Sequence, residues 1–239
     1  DAHVSNVAVG YGALETMNAG TNAENTAVGN LAGNSVTDGV RNVFIGGDVA
    51  SQGTTLDDCV IIGWEAARND VITGHDSVII GQRAGYSTSS GGAHTFLGKE
   101  AGFNVSTANF NTFIGYQSGK SVTSGQKNTI LGSFNGNEGG LDIRTSSANI
   151  VLSDGDGNPR GYWHGGLTSP KWVFQNPTSG QTAMQIVNSG SPSPFGVAIK
   201  FENAAPDNNT QYFLDCSDNS ATRARIESDG DFQSADNSF

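Results

Sequence analysis

Positive charge is scarce in this chain: 12 Lys and Arg stand against 23 Asp and Glu in 239 residues, a formal net charge of -11. Nucleic acids and anionic membranes are gripped by clustered cations, so neither is expected as a partner. Cysteine is limited to Cys59 and Cys216. Two thiols in different segments do not make a stapled scaffold or a metal site, and small, half-buried side chains are the expectation for both. No run approaches the roughly 18 consecutive apolar residues that a membrane-spanning helix needs. The opening Asp1-Ala-His-Val has neither an initiator Met nor the apolar core of a signal peptide, which leads us to expect a fragment or a processed product. Motifs of catalysis are missing too: there is no Gly-x-Ser-x-Gly elbow, no His-Glu-x-x-His and no phosphate-cradling loop. The chain is therefore expected to be no enzyme and to carry no cofactor.

Glycine is abundant, at 33 residues, and it is periodic. Eight times the sequence writes three apolar or β-branched residues and then a glycine, at Gly10, Gly29, Gly46, Gly63, Gly81, Gly98, Gly115 and Gly132. The spacings are 19, 17, 17, 18, 17, 17 and 17 residues. Four residues after each of the later seven comes a small residue: Gly33, Ala50, Ala67, Gly85, Gly102, Gly119 or Gly136. A unit this short cannot hold a helical hairpin or a propeller blade, but it suits one rung of a β-solenoid. Eight rungs stacked ~4.8 Å apart make a rod on the order of 35 Å long.

Side chains alternate along a strand, so the middle residue of each triplet faces away from the residue just before the glycine. That last residue is always Val, Ile or Leu (Val9, Val28, Ile45, Ile62, Ile80, Leu97, Ile114, Leu131), and we expect it to fill the solenoid. The middle column, Phe44, Ile61, Ile79, Phe96, Phe113 and Ile130 with Ala8 and Ala27, is then expected to face outward. An exposed column so apolar marks an association surface, and three-fold closure of parallel rods is the simplest way to bury it. The expectation is a homotrimer with this column at its interface.

The period ends near residue 138. Residues 139–170 read as cap and linker, with Asn149-Ile-Val-Leu-Ser153 echoing the repeat. Residues 171–239 read as a small β domain, with strand-like runs at Trp172-Val-Phe-Gln, Ala183-Met-Gln-Ile-Val, Gly196-Val-Ala-Ile-Lys-Phe, Gln211-Tyr-Phe-Leu-Asp and Arg223-Ala-Arg-Ile-Glu.

Four features carry candidate chemistry. Asp154, Asp156 and Asn158 have the alternating oxygen spacing of a calcium loop, but Pro159 stands where the loop needs Gly and Gly165 where it needs Glu, so an ordinary turn is expected. His94 takes the place of the Asn that opens most repeats and is expected at an outward corner, away from any axis where three copies would chelate a metal. Asp48, Glu65 and Glu100, each two residues past a repeat glycine, supply carboxylates of the kind a glycosidase pairs; a solvated charged edge is the expected role. Trp64 and Tyr116 follow their glycines directly, and Tyr86 and Phe103 come five residues after theirs. Corner aromatics of this kind suit sugar rings, with avidity from three copies, or pack on the next rung.

The unit from Asn111 to Gly125, Asn-Thr-Phe-Ile-Gly-Tyr-Gln-Ser-Gly-Lys-Ser-Val-Thr-Ser-Gly, resembles the repeat of bacteriophage tail fibres and related appendages. It is also similar to the Asn-Ser-Val-Ala-Ile-Gly repeat in the heads of trimeric autotransporter adhesins. The stretch from Gln211 to Phe239 resembles the segment that, in such fibres, precedes a self-cleaving intramolecular chaperone of the endosialidase type. These resemblances imply a homotrimeric, non-enzymatic β-roll in a virion tail, joined to other tail proteins and binding a host surface glycan or protein. They also imply an encoded protein that continues past Phe239 and is cleaved near it. A polysaccharide depolymerase and a bacterial adhesin head are the alternatives.

Overall fold

The computed structural model describes residues 5–18, 23–68, 75–165, 171–174, 212–217, 222–227 and 232–234. Among these the chain is all-β. Eight three-residue strands, each ending at the residue before a repeat glycine, run β1 (Val7–Val9), β2 (Thr26–Val28), β3 (Val43–Ile45), β4 (Val60–Ile62), β5 (Val78–Ile80), β6 (Thr95–Leu97), β7 (Thr112–Ile114) and β8 (Thr129–Leu131). Each pairs in parallel with the next, like residue on like residue, as in Phe44 opposite Ile61 and Phe96 opposite Phe113. A small hairpin, β9 (Asn137–Glu138) with β10 (Leu141–Asp142), follows. Then β11 (Ile150–Ser153) adds a ninth parallel rung on β8. The stack ends where β12 (Pro159–His164) and β13 (Lys171–Phe174) turn antiparallel, completing an 11-stranded sheet.

The chain divides into two compact units, Asp1–Met184 and Gln185–Phe239. In the second, β14 (Tyr212–Ser217), β15 (Thr222–Glu227) and β16 (Phe232–Ser234) form an antiparallel sheet. Trp172-Val-Phe, expected to open the C-terminal domain, belongs instead to the solenoid's sheet. The strands expected at Ala183 and Gly196 lie outside the described residues.

Each rung closes by left-handed backbone at set places. The repeat glycines from Gly10 to Gly115 sit at φ between 134° and 144°. A Cβ on any of them would lie 2.1 to 2.6 Å from the carbonyl oxygen of the next rung's glycine. Glycine is required there because neither the dihedral nor the space admits a side chain. The small residue four places on is left-handed as well, and its size is matched to the core: a Cβ at Gly102 or Gly119 would press into the ring of Phe96 or Phe113, at 2.6 and 2.3 Å.

The facing of the strands is opposite to the sequence expectation. The middle residues Ala27, Phe44, Ile61, Ile79, Phe96, Phe113 and Ile130 are at most 1% exposed within a single chain. They pack against Ala32, Val49, Ala66, Ala84, Ala101 and Phe134 from the following corner and Val36, Val105, Val122 and Ile143 further on. They are the interior of the solenoid and are not available as an interface between chains. The residues before the glycines, such as Val28, Ile45, Leu97 and Leu131, point out instead. Burying each Phe or Ile contributes roughly 1.5–3 kcal/mol.

The Asn that opens most repeats shares the inward parity and forms a hydrogen-bonded ladder beside the core. The Asn6 side-chain oxygen accepts from the Asn25 N–H, Asn25 from Asn42, and Asn42 from Cys59. Further along, Asn111 accepts from Asn128, Asn128 from Asn149, and Asn149 from Gly165. The amide nitrogens donate across the rung to the carbonyls of Gly39, Leu56 and Gly125 for Asn25, Asn42 and Asn111. The buried polar column is thus satisfied along most of its length, with Asn6 Nδ2 and His94 Nε2 the atoms left without a partner, which lets a narrow interior carry it.

Three rungs depart from Asn and keep the ladder with another acceptor: the Cys59 sulfur takes the Ser77 N–H, the Ser77 hydroxyl takes that of His94, and His94 Nδ1 takes that of Asn111 at 3.2 Å. Burial pushes the Cys59 thiol up to about 11, as suits an unreactive core side chain. His94 is 1% exposed and lies inside, not at an outward corner.

Candidate functional site

Two surfaces of the solenoid stand out. The first is the outer face of the parallel sheet, built from the first and third residue of each strand. Over β1 to β8 and β11 these eighteen side chains are all Val, Ile, Leu or Thr, and none is buried. The period-2 geometry of a strand explains the arrangement, since residues flanking an inward Phe or Ile must both point out. The result is a flat, uncharged stripe along nine rungs, unlike the solvent-facing side of an ordinary antiparallel sheet. Sequence reading found the stripe's residues but assigned them to the inside.

The second surface is the corner after the repeat glycine. Trp64 and Tyr116 are 46% and 54% exposed, on a column where Gln82 and Lys99 lie between them. Tyr86 and Phe103 are stacked on one another, ring centroids 4.9 Å apart and planes within 4°. The Arg83 guanidinium bridges from the Trp64 ring (5.0 Å) to the Tyr86 ring (5.8 Å), and Lys120 lies over Phe103 at 5.9 Å. Trp64, Tyr86 and Phe103 are thereby joined into one ladder of rings and cations across four rungs, and Tyr116 stands apart from it. The faces of Tyr86 and Phe103 are turned to each other, which leaves Trp64 and Tyr116 as the rings best presented to a ligand.

Beneath the ladder lie the carboxylates. Glu65, 6% exposed, takes both Arg68 (2.8 Å) and Arg83 (2.6 Å). Glu100 takes Lys120 at 2.7 Å and the Gln117 amide at 2.8 Å, and the Lys120 hydrogen bond holds it below the usual carboxylate range. Both act as counter-ions to the ladder's cations, and the lowered pKa of Glu100 is the reverse of what a general acid needs. The cations Arg83 and Lys120 escaped sequence reading; aligning every residue by its distance from the repeat glycine places Lys120 directly in the column of Tyr86 and Phe103 and exposes the pairing.

Asp154 closes the β11–β12 turn. Its carboxylate accepts from the N–H groups of Asp156 and Asn158, and Arg160 Nε donates to it at 2.8 Å. Arg160 holds its pKa down. The Asp154, Asp156, Asn158 run is an arginine-pinned turn, and among the described residues no group of three His, Cys, Asp or Glu is placed to hold a metal.

Fold and surfaces together define a β-solenoid repeat protein. No family model matches the chain, and neither does any curated protein or solved structure.

Proposed function

We propose that this chain is a structural, non-enzymatic segment of a bacteriophage tail fibre or comparable virion appendage, a homotrimer that presents host-receptor-binding surface. The observation that carries the reading is the uncharged outer face of nine rungs. A partner for it must offer an apolar strip of the same length with the same ~4.8 Å pitch, and a second copy of this chain does so. Eighteen side chains are also close to the roughly 20 to 30 residues a side of a stable interface. The repeat motif and the C-terminal resemblance point the same way, to trimeric appendages in which other tail proteins are the neighbours. The acidic surface keeps such a rod soluble and off nucleic acid.

Host glycan is the ligand class that the Trp64 and Tyr116 column fits, as exposed rings rimmed by Gln82 and Lys99. Labelled protein is expected to bind the surface polysaccharide of one strain in a bacterial panel saturably. The Trp64→Ala/Tyr116→Ala variant should bind about tenfold more weakly, the loss of roughly 1.4 kcal/mol of ring contact. No reducing ends should be released. Steady release that disappears on changing one carboxylate would overturn the non-enzymatic reading and favour a depolymerase.

A further inference from the structure

The outer apolar face does not stop at the ninth rung. Antiparallel register places Trp163 beside Ile150 and Trp172 beside Trp163, so these three side chains share a face. Phe174 lies opposite Gly161, which lies opposite Leu152, on that same face. With no side chain at Gly161, the Phe174 ring approaches within 3.4 Å of where a Cβ would stand. Trp172 packs between the others, its ring centroid 6.0 Å from Trp163 and 6.3 Å from Phe174. Trp172 and Phe174 remain 49% and 48% exposed. The polar neighbours Lys171 and His164 pair on the opposite parity.

The nine rungs before this platform have a weakness as a dimerising or trimerising surface. Each shows Val, Thr or Ile and then Val, Ile or Leu, so a copy shifted by one rung meets nearly the same side chains. Repetitive strand surfaces specify register poorly unless something breaks the repeat. On this face the break is the aromatic end, since no strand from β1 to β11 carries an aromatic outward.

We infer that Trp163, Trp172 and Phe174 form a register lock between copies of this chain, an aromatic collar at the C-terminal end of the shared apolar face. The inference rests on the homotrimer reading. In register, the three platforms meet at one height and exclude water together. A slip of one rung sets Trp172 of one copy against a rung of aliphatic side chains and leaves another copy's Trp in solvent.

The test uses the full chain with Cys216→Ser and one reporter per chain, Ile114→Cys in one preparation and Leu131→Cys in another, refolded together, because these outward positions are register partners on adjacent rungs and would cross-link within a chain that carried both. Mild oxidation followed by peptide mass mapping counts like pairs (114 with 114, 131 with 131) against crossed pairs (114 with 131). A disulfide needs Cα atoms within about 7 Å, so an extra rung of height selects against the crossed product. With the aromatics present, like pairs are expected to exceed crossed pairs at least tenfold. With Trp172→Leu/Phe174→Leu, which makes the end resemble the other rungs, crossed pairs should rise to within twofold of like pairs while light scattering still gives a trimer. The harsher Trp163→Ser/Trp172→Ser/Phe174→Ser variant should behave likewise if its circular dichroism is unchanged. A trimeric leucine variant that keeps its tenfold preference overturns the lock and leaves the trimer standing; so does a folded variant that falls to monomer, because the collar would then supply association. A parent protein that is monomeric overturns the homotrimer itself, and the lock with it.

Discussion

Gly98→Val is expected to yield no folded protein. The new Cβ would lie 2.3 Å from the Gly115 carbonyl oxygen and 2.7 Å from its carbon, both backbone atoms of the next rung that cannot swing aside. At φ 138° a β-branched residue is strained even in empty space. Relief would require parting two rungs and breaking the hydrogen bonds from Gly98 to Ile80 and from Gly115 to Leu97 on either side. A loss beyond about 4 kcal/mol is in the range reserved for such lesions and consumes much of the 5–15 kcal/mol that holds a typical domain. Far-UV circular dichroism and the soluble yield report the outcome. Gly155→Ala, in a turn where nothing lies within 4 Å, is the control that should melt like the parent. A Gly98→Val protein with the parent's melting temperature would contradict the stacked-carbonyl geometry.

Acid is the second large lever, through His94. Its Nδ1 must be unprotonated to accept the Asn111 N–H. Its Nε2 faces the Ala108 carbonyl without completing a hydrogen bond, and its ring stacks on Phe96 with centroids 4.6 Å apart. The Ser77 hydroxyl completes the surroundings from the preceding rung. Burial lowers the pKa to about 4, against an unfolded value near 6.5. Between those values the unfolded chain binds the extra proton, so the stability is fully present above about pH 6.5 and is lost as pH falls toward 4. The difference amounts to about 3 kcal/mol per chain. Denaturant titrations at pH 7 and pH 4.5 should show this loss in the parent but not in His94→Asn, whose amide restores the acceptor used by the neighbouring rungs. Equal acid sensitivity of the two proteins would refute it. Carboxylates held below their usual range by cations, Glu100 and Asp142 among them, are common to both proteins and cancel in the comparison.

The period, the strands and the class of fold were legible from the glycines alone, because the position that stacks carbonyl on carbonyl tolerates nothing else. Inside and outside were not. A column that is always Val, Ile or Leu looks like core, but an outward strand face also favours β-branched residues. The better signal was the first strand position, which shares its face with the residue before the glycine and is threonine four times, at Thr26, Thr95, Thr112 and Thr129. A hydroxyl on that face suits the outside of the strand better than the core. Parity misled as well, since Asn111 shares its side of the strand with Phe113, and an Asn column reads as solvent until its ladder of partners is seen. At the corners, aromatic rings were readable as residues, but their pairing with Arg83 and Lys120 needed the rung-to-rung alignment in space.

The inversion changes what a mutation at each column does. Phe96→Asp places a charge in the interior and should unfold the chain rather than dissociate it. The corresponding change on the outer face is Leu97→Glu/Ile114→Glu, where each monomer tolerates the charge and an interface does not. Molar mass by sedimentation equilibrium at micromolar concentration is therefore the most direct measurement of the homotrimer. The account predicts three times the 24.7 kDa chain mass for the parent, and a monomer with unchanged circular dichroism for the Glu variant. A parent that sediments as a single chain, or a Glu variant that remains trimeric, would contradict it.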